Sequence, residues 1–176
     1  MDRLVSPDTA NPTVVIETSL GTLRARLWAD KAPVTVENFL VYVDAGSYDG
    51  LIFHRVIDGF MIQGGGFTPD MTQPPTRDPI ANEASADKPN NRGTLAMART
   101  SDVHSATAQF FINLVDNDFL NHTDETASGF GYCAFGEVID GMDVVDKIAK
   151  VPTGRHGPYD DVPSEPVTIA SIRHQA

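Results

Sequence analysis

The chain has 176 residues, a length that suits one domain whose core is large enough to need no disulfide or structural metal. Its 24 acidic and 13 basic side chains give a formal net charge of −11, which lacks the positive footprint that nucleic acids and anionic membranes require of a partner. The single cysteine, Cys133, excludes an internal disulfide and a cysteine-based metal site, and its apolar neighbours predict a buried thiol.

Residues 1–12 are polar, and we expect a flexible tail there, followed by a single domain over 13–176. The first residues contain no apolar stretch of the kind that directs export. We therefore expect a cytoplasmic protein, or a periplasmic one if a signal peptide was removed before this chain was made. The longest uncharged stretch, 103–115, is too short and too polar to span a bilayer.

The first predicted elements form a hairpin. A β-rich run at 13–18 leads through Gly21 into 22–28, where apolar and polar residues alternate, as in an antiparallel pair of strands. Further short apolar runs are separated by glycines and polar loops; they lie at 53–57, 60–64, 94–98, 109–114, 133–139 and 167–170. Many short strands with few helices favour a mainly β fold built on a closed antiparallel sheet.

Two helices are predicted. Pro33 begins the first, because proline is tolerated at the first helical position, and Gly46 suits the residue after its end near Ala45. The second spans 141–149, with Asp140 as the expected N-cap.

The segment with the most candidate functional residues spans 53–67 and reads FHRVIDGFMIQGGGF. His54 and Asp58 suggest an acid–base pair, but they are far apart on a strand and no nucleophile motif accompanies them. The glycines at 64–66 lack the Lys-Ser/Thr of a phosphate loop, so they indicate backbone turning or close approach. Arg55 lies between apolar neighbours on a predicted strand, where the ordinary interpretation is a solvent-exposed face.

The neighbourhood of Arg55 in the sequence favours a ligand site instead. Gln63 and Gln109 are amides inside apolar runs, where an unpaired polar group is costly. The nearby runs also hold more large apolar residues than two short strands and a loop need, namely Phe60, Met61, Phe110, Phe111, Phe119 and Leu120. An apolar hollow edged by one guanidinium and two amides has the composition of a binding pocket.

Five segments carry a family resemblance in the correct order; they are FHRVIDGFMIQGGGF at 53–67, GTLAMART at 93–100, SATAQFFIN at 105–113, DNDFLNH at 116–122 and GYCAFGEVIDGMDVVDKI at 131–148. With the opening hairpin and helix, residues 13–172 resemble the cyclophilins, the cyclosporin-binding peptidyl-prolyl cis–trans isomerases, and specifically their bacterial branch. The resemblance implies an eight-stranded closed antiparallel β-barrel with a helix capping each open end. It also implies an isomerase that acts on proline-containing polypeptides, assists protein folding and uses no cofactor or metal.

The resemblance also assigns roles to residues. The catalytic arginine of the family falls on Arg55, and we expect His54 and Phe110 to point away from the site, since neighbours on a strand face opposite sides. The substrate-binding residues fall on Phe60, Met61, Gln63, Ala98, Arg99, Gln109, Phe111, Phe119, Leu120 and Tyr132.

Two positions depart from the animal cyclophilins. Those proteins have a tryptophan where Phe119 stands, and its indole N–H donates to cyclosporin, so we expect weakened drug binding here. Their pocket histidine is replaced by Tyr132, which keeps a ring and a polar tip. We therefore expect catalysis to be intact.

The sequence leaves two alternatives open. The first is a non-catalytic proline-peptide binding module or chaperone that uses the same groove, although simple binding would not need Arg55. The second is a Ca²⁺ site at 121–125, which lacks the ordered alternation and the glycine of an EF-hand loop, so a solvated loop is favoured. We expect a monomer, because no segment suggests an obligate interface.

Overall fold

A computed structural model describes residues 11–175, and within that range the chain forms ten strands and two α-helices. The strands are β1 (Thr13–Thr18), β2 (Gly21–Leu27), β3 (Phe53–Ile57), β4 (Met61–Gly64), β5 (Thr94–Met97), β6 (Phe110–Asn113), β7 (Ala134–Asp140), β8 (Thr153–His156), β9 (Tyr159–Pro163) and β10 (Ile169–His174). The helices are α1 (Pro33–Asp44) and α2 (Met142–Ala149), and a short 3-10 turn covers Asp118–Leu120. No helix among the described residues is long and apolar enough to cross a membrane.

Eight strands form one antiparallel sheet in the order β10-β1-β2-β7-β5-β6-β4-β3. The expected closed barrel is wrong, because the sheet is an open half-barrel with β3 and β10 as its edge strands. The two edges approach each other at the beginnings of these strands, where Ile52 forms an isolated bridge with Thr168. Phe53 N donates to Val167 O at 3.0 Å, and Ile169 N donates to Leu51 O at 2.7 Å. Beyond that bridge the hairpin β8–β9 packs against β3, and β10 pairs with β1, so no ladder joins the edges.

The predicted hairpin and first helix are confirmed by their register and ends. Thr18 pairs with Gly21 at the turn between β1 and β2. Pro33 begins α1, and Gly46 follows its end with a left-handed φ of +69°. Residues 1–10 of the expected tail lie outside the described residues, whereas Pro12 O already accepts a hydrogen bond from Leu27 N.

The expected N-cap of the second helix is wrong by one residue. Asp140 is the last residue of β7, and Gly141 occupies the cap with a φ of +89° and no side-chain cap. A Cβ at this position would lie 2.6 Å from Thr22 O, so the turn from strand to helix passes too close to β2 for an aspartate.

The main core lies between α1 and the concave face of the sheet. Aromatic rings meet there at centroid distances of 5.2 Å for Phe39 and Tyr48, 5.4 Å for Phe39 and Phe110, and 5.1 Å for Phe39 and Phe135. These residues are all fully or almost fully buried. The core therefore anchors β6 and β7 from one side and leaves their other side for a second apolar cluster.

Candidate active site

The site lies on the convex side of the sheet, where β3, β4 and β6 are neighbours. Arg55 on β3 is paired with Gln63 on β4, and Gln63 is paired with Phe111 on β6. Because residues paired across a sheet share a face, this register places the three side chains in one row. The sequence separations of these residues are long, but the sheet brings them together.

Behind this row is a second apolar cluster, distinct from the main core. It contains Met61, Ala96, Phe111, Leu120 and Ala134, all buried. Strands β5 and β6 are thus covered on both faces and buried at every residue, which explains why their sequences are mainly apolar and do not alternate.

A cavity of about 140 Å³ opens over this cluster, and we call it the arginine cavity. It has an apolar floor and a polar rim, and its volume accommodates one small ring. The residues that line it are Arg55, Phe60, Met61, Gln63, Ala98, Arg99, Phe111, Leu120 and Tyr132. Most of the predicted site residues therefore lie together in one cavity.

Two predicted residues lie outside that lining. Gln109 contacts Gln63 from outside the cavity: Gln63 Nε2 donates a hydrogen bond to Gln109 Oε1 at 2.9 Å. Phe119 is 74% exposed and stacks on Phe60 with ring centroids 5.6 Å apart. Gln109 thus orients a residue of the rim, and Phe119 extends the apolar wall of the cavity outward.

Arg55 is exposed at the edge of the cavity, with its guanidinium carbon 6.0 Å from the centroid of the Phe60 ring. No carboxylate of the described residues forms an ion pair with it. Its N–H groups and its charge are therefore free to act on a bound molecule, and arginine stays charged at any physiological pH.

The opposite rim is formed by Arg99 and Tyr132. The guanidinium carbon of Arg99 lies 4.5 Å from the centroid of the Tyr132 ring, and its Nη2 donates to Gly131 O at 3.1 Å. The Tyr132 ring meets Phe111 edge-on at 5.8 Å. Ala98 N donates to Gln109 O at 3.0 Å, so that N–H is already used within the protein.

Buried asparagines hold the pocket residues in place, and they were missed by the sequence reasoning. Asn90 Nδ2 donates to the backbone oxygens of Leu120 and Tyr132, each at 3.1 Å. Asn117 Nδ2 donates to Phe60 O at 2.9 Å. The available signal was the presence of asparagines beside apolar runs, where a buried amide must find partners.

His54 and Phe110 face away from the site, as expected from the alternation along β3 and β6. Phe110 lies in the main core. His54 is 6% exposed, its ring lies 4.4 Å from that of Phe67, and its Nδ1 has no hydrogen-bond partner among the described residues. Burial, with a smaller contribution from the Arg55 charge, lowers the pKa of His54 from 6.5 to about 4. His54 therefore lies in the interior of the fold and does not line the arginine cavity.

The titration of His54 predicts an acid-labile fold. Between pH 6.5 and about 4, the unfolded chain binds a proton at His54 that the native protein does not bind. This residue therefore contributes no pH dependence above 6.5, and stability falls as the pH decreases through that interval. We expect the free energy of unfolding to drop by about 1–2 kcal/mol from pH 7 to pH 5 on account of His54. Denaturant titrations at both pH values should show a smaller drop for His54→Gln; equal drops would contradict the assignment.

Cys133 is buried, as predicted, and its Sγ lies 3.6 Å from Thr35 Oγ1. Burial raises the pKa of this thiol, so little of it is present as thiolate.

The acidic cluster at 121–125 forms hydrogen bonds within its own loop, where Asp124 Oδ1 accepts from Thr126 N at 2.9 Å. Within residues 11–175, no three His, Cys, Asp or Glu side chains are grouped to hold a metal ion.

An open β-sheet capped by helices, with an arginine beside an apolar cavity, matches known proteins closely. Residues 13–174 match the family model for the cyclophilin type peptidyl-prolyl cis-trans isomerases. The chain is 60% identical over 159 residues to peptidyl-prolyl cis-trans isomerase B of Escherichia coli (strain K12), covering 90% of this chain and 97% of that one. It is 58% identical over 161 residues to peptidyl-prolyl cis-trans isomerase cyp18 of Streptomyces antibioticus, covering 92% and 97%.

Solved structures agree with these relatives. A Cryptosporidium parvum cyclophilin type peptidyl-prolyl cis-trans isomerase superimposes with a TM-score of 0.81 at 27% identity, covering 94% of this chain and 98% of that one. A second structure of that protein, in the presence of the dipeptide Ala-Pro, gives a TM-score of 0.80 at 28% identity and covers 93% and 99%. The chain belongs to the cyclophilin family and is a peptidyl-prolyl cis–trans isomerase.

Proposed function

We propose that the enzyme accelerates rotation about X–Pro bonds in unfolded or flexible protein segments and so assists folding, with Arg55 as its catalytic residue. The observation that carries this proposal is the unpaired Arg55 guanidinium at the edge of an apolar cavity with room for one small ring. The Cryptosporidium parvum relative studied with the dipeptide Ala-Pro supports proline-containing peptides as the substrate class.

The reaction needs no bond to be broken. Rotation about the X–Pro bond has a barrier of roughly 18–20 kcal/mol, because the nitrogen donates its lone pair into the carbonyl. In the twisted transition state the nitrogen has recovered that lone pair. A site that binds the twisted amide better than either planar form lowers the barrier, and each ~1.36 kcal/mol of such preference gives a tenfold rate increase.

The residues of the arginine cavity suit this task. Met61, Phe111 and Leu120 form an apolar floor that packs against the proline ring and holds it in place while the preceding carbonyl rotates. Arg55 donates a hydrogen bond to the prolyl nitrogen once its lone pair is free. The bound peptide excludes water, and exclusion of water strengthens a contact between a charged donor and a lone pair.

A protease-coupled isomerisation assay on an Ala-Pro-Phe peptide tests the proposal. We expect the slow cis-to-trans phase to accelerate in proportion to enzyme concentration, without added metal or nucleotide. Binding of the peptide with no acceleration at any enzyme concentration would instead identify a proline-peptide binding module, and would refute the catalytic role.

Inhibition by cyclosporin separates the proline pocket from the drug site. Phe119 supplies a ring but no N–H donor, so we expect full isomerase activity with weakened cyclosporin inhibition. Phe119→Trp restores a donor, and a hydrogen bond to a desolvated partner is worth about 1–3 kcal/mol, or roughly tenfold to a hundredfold in affinity. An inhibition titration should show a gain of that size with little change in kcat/KM. Tight inhibition of the unmodified protein, or no gain in the variant, would assign drug affinity to Arg99 and Tyr132.

A further inference from the structure

Two guanidinium groups at the arginine cavity have no neighbouring carboxylate that compensates their positive charge, although the protein as a whole is acidic. Neither Arg55 nor Arg99 forms an ion pair with a carboxylate of the described residues. Many other cationic side chains do form such pairs, namely Arg24, Lys88, Arg92, Lys150, Arg155 and Arg173. The substrate groove is thus a site of uncompensated positive charge on a chain with net charge −11.

Arg99 is held in one orientation. Its Nε and Nη2 donate to Gly131 O at 3.3 and 3.1 Å, and its Nη1 donates to Thr100 O at 2.9 Å. Its guanidinium also stacks over the Tyr132 ring. A guanidinium has more N–H groups than these bonds use, so a fixed, charged donor remains for a ligand.

Arg99 also lines a second cavity, which we call the polar cavity. This cavity has a volume of about 260 Å³ and is lined by both Gln63 and Gln109, which are joined by a hydrogen bond. It shares Gln63, Ala98 and Arg99 with the arginine cavity, and Arg99 is the one charged residue among the described residues that line it. The rest of the wall is neutral and polar, including Gln73, Ser105 and Thr107.

The carboxylate of Asp102, in the adjacent loop, does not neutralise Arg99. Its Oδ1 accepts from His104 N at 3.0 Å, and it forms no ion pair with the guanidinium. The polar cavity therefore presents hydrogen-bonding groups around one unpaired cation, a composition that favours an anionic group of modest size.

We propose that Arg99 makes this enzyme selective for proline-containing segments with an acidic side chain close to the X–Pro bond. The carboxylate lies in the polar cavity and accepts charge-assisted hydrogen bonds from Arg99, while the proline ring occupies the arginine cavity. A basic side chain at the same place meets two like charges. This inference rests on the proposed function, because it requires the proline to bind beside Arg55.

A matched peptide series measures the selectivity. In a neutral Ala-Pro peptide, Glu or Gln replaces each of the two residues before and each of the two residues after the proline in turn. The isomerisation rate of each peptide is measured by NMR exchange, which needs no protease. We expect wild-type kcat/KM to be about threefold to tenfold higher for Glu than for Gln at one or more of these positions, the range for a partly exposed charged contact.

Variants at Arg99 assign the preference to one side chain. The ratio of Glu to Gln should approach one in Arg99→Gln and keep an intermediate value in Arg99→Lys, which retains the charge without the planar fork. Each ratio is taken within one variant, so any general loss of activity cancels. Arg155→Gln removes the same charge at an exposed residue outside both cavities, and its ratio should equal that of the wild type.

The outcomes distinguish this inference from the function on which it rests. Failure of the wild type to isomerise the neutral Gln peptides would overturn both. Isomerisation of all peptides without a preference for Glu, or a preference that persists in Arg99→Gln, would overturn the role of Arg99 and leave the isomerase intact. If Arg99→Gln does not fold, a ratio for Arg99→Lys that equals the wild-type ratio overturns the proposed fork geometry.

Discussion

Arg55→Ala should lower kcat/KM by about 10²–10³-fold, the loss that follows removal of one donor to a group that becomes basic in the transition state. The expected cause is loss of the hydrogen bond to the prolyl nitrogen. Arg55→Lys should restore little, because a point charge on a flexible stem does not reproduce the planar guanidinium. The protease-coupled assay with an Ala-Pro-Phe peptide measures both variants.

The fold should survive the Arg55→Ala change. Arg55 is exposed, and it has no ion pair with a carboxylate in the described part of the chain. Circular dichroism and denaturant unfolding should therefore match the wild type, and Arg155→Gln serves as a control for removal of one positive charge. A variant with near-wild-type kcat/KM would refute the catalytic role of Arg55.

Phe110→Ala should mainly lower stability and Phe111→Ala should mainly lower activity, although the two residues are neighbours on β6. Phe110 contacts the rings of Phe39, Tyr48 and Phe53 in the main core, so its removal should cost about 3–5 kcal/mol of stability. Phe111 forms part of the floor of the arginine cavity. Its removal should lower kcat/KM by about tenfold to a hundredfold, the equivalent of losing roughly 1.5–3 kcal/mol of apolar contact with the proline ring.

Unfolding titrations and peptide assays of the two variants form the matched comparison. The folded fraction of Phe110→Ala should keep kcat/KM close to that of the wild type. Phe111→Ala should lose less stability than Phe110→Ala, because one side of Phe111 already borders the open cavity. A larger loss of kcat/KM in Phe110→Ala than in Phe111→Ala would contradict the placement of the two rings.

Local structure was predictable from the sequence wherever the apolar pattern was strong. The opening hairpin and α1 follow from alternation, from Pro33 and from Gly46, and the structure places them within a residue or two of the predicted bounds. The hairpin β8–β9 was not predicted, because β8 is fully exposed and its sequence carries no apolar alternation. The N-cap of α2 was misplaced since the close approach to Thr22 O is a tertiary constraint.

Long-range arrangement was less predictable than local structure. The number of strands and the family resemblance predict a closed barrel, but closure requires a ladder between β3 and β10. These strands form none, and their beginnings are linked by an isolated bridge and a few backbone hydrogen bonds. The grouping of Arg55, Gln63 and Phe111 depends on the register of three strands. The family resemblance implies that these residues share a site, and the pairing of Arg55 with Gln63 and of Gln63 with Phe111 shows how the sheet brings them together. The hydrogen bonds by which Asn90 and Asn117 hold Leu120 and Phe60 join residues far apart in the sequence, so only the structure shows them.

The role of Arg55 in rotation, as opposed to binding, is tested most directly by NMR exchange on an Ala-Pro peptide that saturates the enzyme. Under saturation the measured cis–trans rate belongs to the bound peptide, so differences in affinity do not contribute. Wild type and Arg55→Ala should bind the peptide with similar dissociation constants, and only the wild type should interconvert the bound isomers rapidly. Equal exchange rates for the bound peptide in the two proteins would contradict stabilisation of the twisted amide by Arg55.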